Sequence, residues 1–329
     1  AASEHTLKLW DAHTGEERLT LQGHTGPVNG CAVSSLSGMI VSASWDRTLK
    51  LWDIHKREER AASQGYTSWV HGCAISQAGD VVVSASHNNT LKVWDVHTGE
   101  ERLTLQGHGS WVSGCAVDPA GDVIVSASRD GSLKVWDAHT GEERLTLRGH
   151  SGPVTGCAIS PTGDYIVSTS EDETLKVWDI HRRKERLTLW GHRGSVNGCA
   201  ISSMGDVIVS ASDDGTLKVW DARTGEERQT LQGHTAEVAA CAVGPMGDVI
   251  VSASYDETLK IWDMYTGEER LTLQGHTGSV YGCAVSPKGE VIVSASEDNM
   301  LRVWDAQTGS CLATLLVDGF LNACVFHPD

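Results

Sequence analysis

The chain has 329 residues, 40% hydrophobic and 21% charged, a composition that fits a folded globular protein and excludes a disordered one. Its formal net charge is −17, with 43 Asp and Glu against 26 Lys and Arg. Phosphate backbones and anionic lipid surfaces are held by clustered cations, so nucleic acid and membrane are excluded as partners and basic side chains are favoured.

No apolar run nears the roughly 18 residues that a membrane helix needs, and no leader pattern opens the printed sequence, so a soluble, cytoplasmic protein is expected. The first landmark is Trp10-Asp11, followed by Gly23-His24. Trp-Asp then returns at Trp52, Trp94, Trp136, Trp178, Trp220, Trp262 and Trp304, always 42 residues on. Gly-His returns with the same period at His108, His150, His192, His234 and His276. Complete units start near 23, 65, 107, 149, 191, 233 and 275.

The elements read most clearly in the third unit. Val112–Asp118 is small and alternating, as an inner strand requires, and Asp122–Ser128 is β-branched, as a strand buried on both faces requires. Arg129-Asp130-Gly131 is a tight turn. Ser132–Asp137 alternates apolar with polar and reads as a half-exposed strand, and Arg144–Leu147 is the outer strand after a Thr-Gly turn. No window holds helical periodicity, so the fold class is all-β.

A 42-residue period with these two signatures resembles the WD-repeat (tryptophan–aspartate repeat) β-propeller family over essentially the whole chain. The resemblance implies one domain over 1–329, a closed propeller of four-stranded blades. Trp-Asp segments number eight, which favours eight blades over the alternative of seven. The termini are then expected to meet in a closing blade made of 1–22 plus 317–329, since closure removes exposed strand edges. There, Asp318 and His5 are expected to swap the roles of acid and imidazole near Trp10.

The resemblance also implies a buried polar network in each blade. Its members are His24, Asp46 and Trp52; His108, Asp130 and Trp136; His150, Asp172 and Trp178; His192, Asp214 and Trp220; His234, Asp256 and Trp262; and His276, Asp298 and Trp304. A Ser, a His and an Asp per blade imitate a hydrolase triad, but a catalytic site occurs once and no nucleophile elbow accompanies this set. No enzyme activity is expected. The second blade departs from the network, with Tyr66 for His and Asn88 for Asp.

Eight cysteines hold one inner-strand position, from Cys31 to Cys283 at 42-residue spacing plus Cys324, and read as free core thiols. Cys311 stands apart in an outer strand as the most reactive thiol. No C-x-x-C pair exists, and His13, His55, His97, His139 and His181 fall one per blade in rim turns, so no metal or cofactor is expected.

Function is sought where the repeats differ. Two residues flanking the first Val of each inner strand, and the residue before the turn Asp, should ring the central opening on one face. Blades one to three place Trp45, Trp69, His71, His87, Trp111 and Arg129 there, beside Pro27, Asn29 and Ser113. Across the ring stand Glu171, Asp213, Glu237, Tyr255, Tyr281, Glu297 and Phe320, beside Pro153, Thr155, Ser195, Asn197, Ala239, Ser279 and Asn322. Trp, Tyr and Arg dominate interface energetics, and an acidic sector with Tyr faces suits a cation.

A non-catalytic protein- or peptide-binding scaffold or sensor is therefore expected, monomeric, with a partner carrying basic side chains. A glycan- or small-molecule-binding propeller, or a recently amplified or engineered repeat with no evolved ligand, are the alternatives. The junction GEERLTLQGH, as at Gly15–His24, is similar to those of C-terminal sensor propellers in bacterial STAND-type signalling NTPases and kinases. That resemblance implies an effector domain of the same longer chain as a further partner. The turns Lys56-Arg57 and Arg182-Arg183-Lys184 are local basic spots, read as solvated.

Overall fold

Thirty β-strands and no helix make up the computed structural model, which describes residues 6–11, 14, 16–34, 36–63, 67–96, 98–316 and 324–326. Twenty-eight of these strands form seven antiparallel sheets of four, each a continuous stretch of chain in simple up-and-down order. The third blade shows the plan. Its inner strand Val112–Val117 pairs with Val123–Ser128, then Ser132–Asp137, then the outer strand Glu143–Arg148.

Eight blades do not form. Among the described residues Thr6–Trp10 and Glu17–Gln22 pair only with each other, as a two-stranded sheet beside seven four-stranded ones. A count of Trp-Asp periods counts third strands, and among the described residues the first of these pairs with an outer strand alone. Leu7 and Leu21 of the short sheet pack on Val28, Ile40 and Trp52 of the first blade. Trp10 packs against the last blade, as do Cys324 and Phe326. Residues 317–323 and 327–329, on which the closing-blade expectation rests, lie outside the described residues. So do His5, His13, Tyr66, His97 and Asp318, and with them the proposed exchange of roles between Asp318 and His5.

The core lies between blades. Each cluster joins the second and third strands of one blade to the inner strand and Trp of the next: Val125, Leu133 and Val135 of the third blade meet Val154, Ile166 and Trp178 of the fourth. Val/Ile-rich second strands such as Tyr165–Ser170 are buried throughout, because both faces meet a neighbouring blade. All nine cysteines are free. Inner-strand thiols bridge the seams: Cys115, Cys157 and Cys241 point Sγ at Val83, Val125 and Val209 carbonyls of the preceding blade, 3.6–4.0 Å away. Burial pushes the Cys115 and Cys199 thiols up to about 12.

The third strand is not half-exposed. In Ser132–Asp137 every residue but the last is buried, Lys134 included at 6% exposure. The Lys134 ammonium sits 5.8 Å from the Trp136 ring centroid and donates to Glu143 Oε2 at 2.6 Å and to Thr146 Oγ1 at 2.8 Å. The alternation that suggested a solvated face marks a cation laid along an indole, its stem buried and its charge paired. Lys50, Lys92 and Lys218 repeat the arrangement over Trp52, Trp94 and Trp220.

Candidate functional site: the loop face

Six blades carry the polar network. In the first, Trp52 Nε1–H donates to Ser42 Oγ at 2.9 Å and Ser42 Oγ lies 2.8 Å from His24 Nε2. His24 Nδ1 lies 2.8 Å from Asp46 Oδ2. A carboxylate only accepts, so His24 Nδ1 carries a proton and donates it to Asp46. His108, His150, His192, His234 and His276 make the same two contacts, with Asp130 and Ser126, Asp172 and Ser168, Asp214 and Ser210, Asp256 and Ser252, and Asp298 and Ser294. Trp136, Trp178, Trp220, Trp262 and Trp304 each donate to the same serine.

The aspartates do more than hold the ring. Asp130 also accepts from the Gly109 amide and from Ser132, tying three segments into one loop cluster. Burial works against its charge, but the bonds from Ser132, Gly109 and His108 outweigh burial and draw its pKa down to about 2. Asp172 is drawn down to about 2 by the equivalent donors. Burial lowers the pKa of His108, His150 and His276 against the pull of their aspartates. In the second blade, Asn88 instead donates to Thr67 Oγ1 at 3.3 Å and accepts from Thr90.

The network builds the loop face that carries the variable residues. In every blade the residue before the turn Asp donates its amide to the carbonyl of the residue before the inner strand, as Trp45 does to Pro27, His87 to Trp69, Arg129 to Trp111 and Tyr255 to Glu237. This bond makes each such pair neighbours in space. The third variable position sits on a β-bulge: Val112 pairs with Ser128 and Gly114 with Ala127, leaving Ser113 unpaired in the ladder. Asn29, His71, Thr155, Asn197, Ala239 and Tyr281 occupy the same bulge. A bulge re-aims its side chain, here off the sheet pairing pattern.

The residues of blades one to three form one continuous row. Trp45 stacks on Trp69, centroids 4.9 Å apart and planes 13° apart. Trp69 leans on His87 at 5.6 Å, and His87 stacks on Trp111 at 4.4 Å. The Arg129 guanidinium lies 5.9 Å from the Trp111 ring and pairs with Glu171 of the fourth blade. His71 lies below, 5.3 Å from His87 and 3.4 Å from the Asn29 amide nitrogen. Trp45, Trp69 and Trp111 remain 42–46% exposed. Enclosure and the Arg129 charge lower the pKa of His87, and enclosure, His87 and Arg129 lower that of His71.

Across the ring, Tyr255 and Tyr281 meet edge to face at 5.5 Å. Burial, then the charges of Asp213, Glu237 and Glu297, raise the pKa of Tyr255. Asp213, Asp214, Glu237 and His234 line an open crevice of about 350 Å³ between blades five and six. Glu171 stands with Arg129, so it joins the aromatic row and not the acidic sector. Phe320 and Asn322 lie outside the described residues.

Some variable positions have structural duties. Ser113, Thr155 and Asn197 donate to the carbonyls of Val154, Val196 and Val238 in the next blade. His139 and His181 pair with Asp122 and Asp164 in exposed turns. Among the described residues no group of three or more His, Cys, Asp or Glu side chains is arranged to hold a metal ion.

No curated protein matches the chain. The family model for the WD domain, G-beta repeat, matches seven times, over residues 15–53, 59–95, 99–137, 141–179, 183–221, 225–263 and 267–305. The matches equal the four-stranded sheets in number and cover most of the chain, which therefore belongs to the WD40 family of β-propellers.

Proposed function

We propose that this propeller is a non-catalytic binding module that engages a protein or peptide on its loop face. WD40 propellers generally serve as protein-interaction scaffolds. The observation that carries the reading here is the unbroken row Trp45–Trp69–His87–Trp111–Arg129, held at a half-exposed rim with no structural need for three indoles. A solvated indole adds little to folding, whereas buried Trp and Arg dominate binding at interfaces.

The acidic crevice at Asp213, Asp214 and Glu237, with Tyr255 beside it, favours a partner that offers Lys or Arg on one side and apolar side chains on the other. The stacking argues against a glycan. Sugars bind by laying C–H groups on a free indole face, and here Trp45 and Trp69 cover each other while His87 and Arg129 lie against Trp111. The GEERLTLQGH junctions support a sensor role in a cytoplasmic bacterial signalling protein, with the propeller acting as a monomer beside an effector domain.

The test is selection of a displayed peptide library against the parent and against the triple variant W45A/W69A/W111A. Enriched peptides should combine a basic and an apolar residue and should lose affinity for the variant at unchanged circular dichroism. Equal affinity for parent and variant refutes the reading.

A further inference from the structure

In five of the seven blades the turn between third and outer strands holds a glycine at positive φ: Gly99, Gly141, Gly225, Gly267 and Gly309, at 70–77°. A Cβ there meets the preceding blade. At Gly141 it falls 3.2–3.4 Å from Leu103 and Leu105, and at Gly225 3.1–3.3 Å from Leu187 and Leu189. Glycine thus closes the lower seam between blades. Blades one and four replace it with Arg57 and Arg183, which keep the left-handed backbone at φ 59° and 56°. A non-glycine residue there is strained, and such strain persists where something compensates.

At the fourth blade Arg183 lines a crevice. It lies on the seam to the third blade, has a volume of about 240 Å³, and is lined also by Val135, Arg144, Leu145, Ile180 and His181. Val135, Leu145 and Ile180 give it apolar surface, beside two guanidinium groups and the His181 imidazole, which pairs with Asp164. Among the described residues Arg183 makes no hydrogen bond or ion pair. Arg144 gives one Nη2 to Asp137 at 2.6 Å, which leaves most of its five donors unused. Two arginines on one seam stand out in a chain of net charge −17.

We propose that this seam binds a phosphomonoester attached to an apolar group, an aryl phosphate being the simplest case. Arg183 and Arg144 grip the phosphate oxygens from the two sides of the seam, and Leu145 with Ile180 lies under the apolar part. Arginine forks match phosphate geometry, and charge-assisted bonds of this kind are the strong ones. The site lies at the turns opposite the loop face, so it stands or falls independently of the aromatic row.

Calorimetric titration with phenyl phosphate, inorganic phosphate and phenol tests the proposal on the full chain. Phenyl phosphate should bind about tenfold more tightly than either fragment. R183Q, which keeps the strained backbone and removes the charge, should weaken phenyl phosphate about tenfold. R183G, which restores the sister-blade turn, should lose the same affinity while its melting temperature rises. W45A/W69A/W111A should bind phenyl phosphate as the parent does. No binding by the parent, no preference for phenyl phosphate over inorganic phosphate, or full affinity in R183Q overturns the proposal.

Discussion

His87 lies flat on Trp111, ring centroids 4.4 Å apart and planes 3° from parallel. A neutral imidazole in that position joins two blades into one aromatic surface. Protonation converts the same contact into a cation held against an indole, with Arg129 also against Trp111 and His71 close by. Enclosure, and then the Arg129 charge, lower the His87 pKa from 6.5, so both oppose that protonation. Tryptophan fluorescence should therefore be quenched as pH falls, with a midpoint under 6.5, and H87Q should reduce the amplitude of that step.

The polar network predicts unequal costs for equivalent substitutions. Asp172→Ala leaves the Ser151 amide unpaired and removes the short acceptor of His150 Nδ1–H and the acceptor of Thr174, and should cost about 3 kcal/mol in urea unfolding. Asn88→Ala removes only a neutral side chain bonded to Thr67 and Thr90, and should cost about 1 kcal/mol or less.

Acid should destabilise the fold in two stages. His108, His150 and His276 have lowered folded pKa values, so the unfolded chain takes up protons first and stability drops as pH falls below 6.5. Asp130 and Asp172 are held at about 2 from an ordinary 3.8, so their contribution is complete above about 4 and is lost as pH falls towards 2. Melting temperatures between pH 8 and pH 2 should show both steps, and a flat profile between 7 and 5 would contradict the histidine assignment.

Backbone strain offers a stabilising substitution. After the turn Asp, blades three and five place Gly131 and Gly215 at φ 81° and 78°, while blades four and six place Glu173 and Glu257 at 68° and 69°. Glu173→Gly removes the Cβ penalty of the left-handed region, against a smaller entropic cost of glycine. A net gain of about 0.5 kcal/mol is expected, read as a higher melting temperature.

The repeat made much of this legible. His24 and Asp46 stand 22 residues apart and Trp52 follows Ser42 by ten, and those spacings recur wherever the network forms. Three features could not be read. The blade count failed because Trp10 belongs to a two-stranded sheet whose sequence period is identical to that of a full blade. The burial of Lys134 was hidden by an alternation that a solvated strand shares. The aromatic face was located by its departures from the repeat, but the stacking of Trp45 on Trp69 depends on rotamers and on the amide bonds that bring neighbouring blades' loops together.

The cysteines that bridge the seams give the molecule matched internal gauges. Six inner-strand thiols meet a carbonyl of the preceding blade in nearly the same geometry, as Cys73, Cys157 and Cys283 do with Val41, Val125 and Val251. All are buried thiols whose pKa is raised by burial, so differences in alkylation rate would report chiefly how often each seam opens. A ring that looks repetitive could thus be ranked, joint by joint, for where it loosens first.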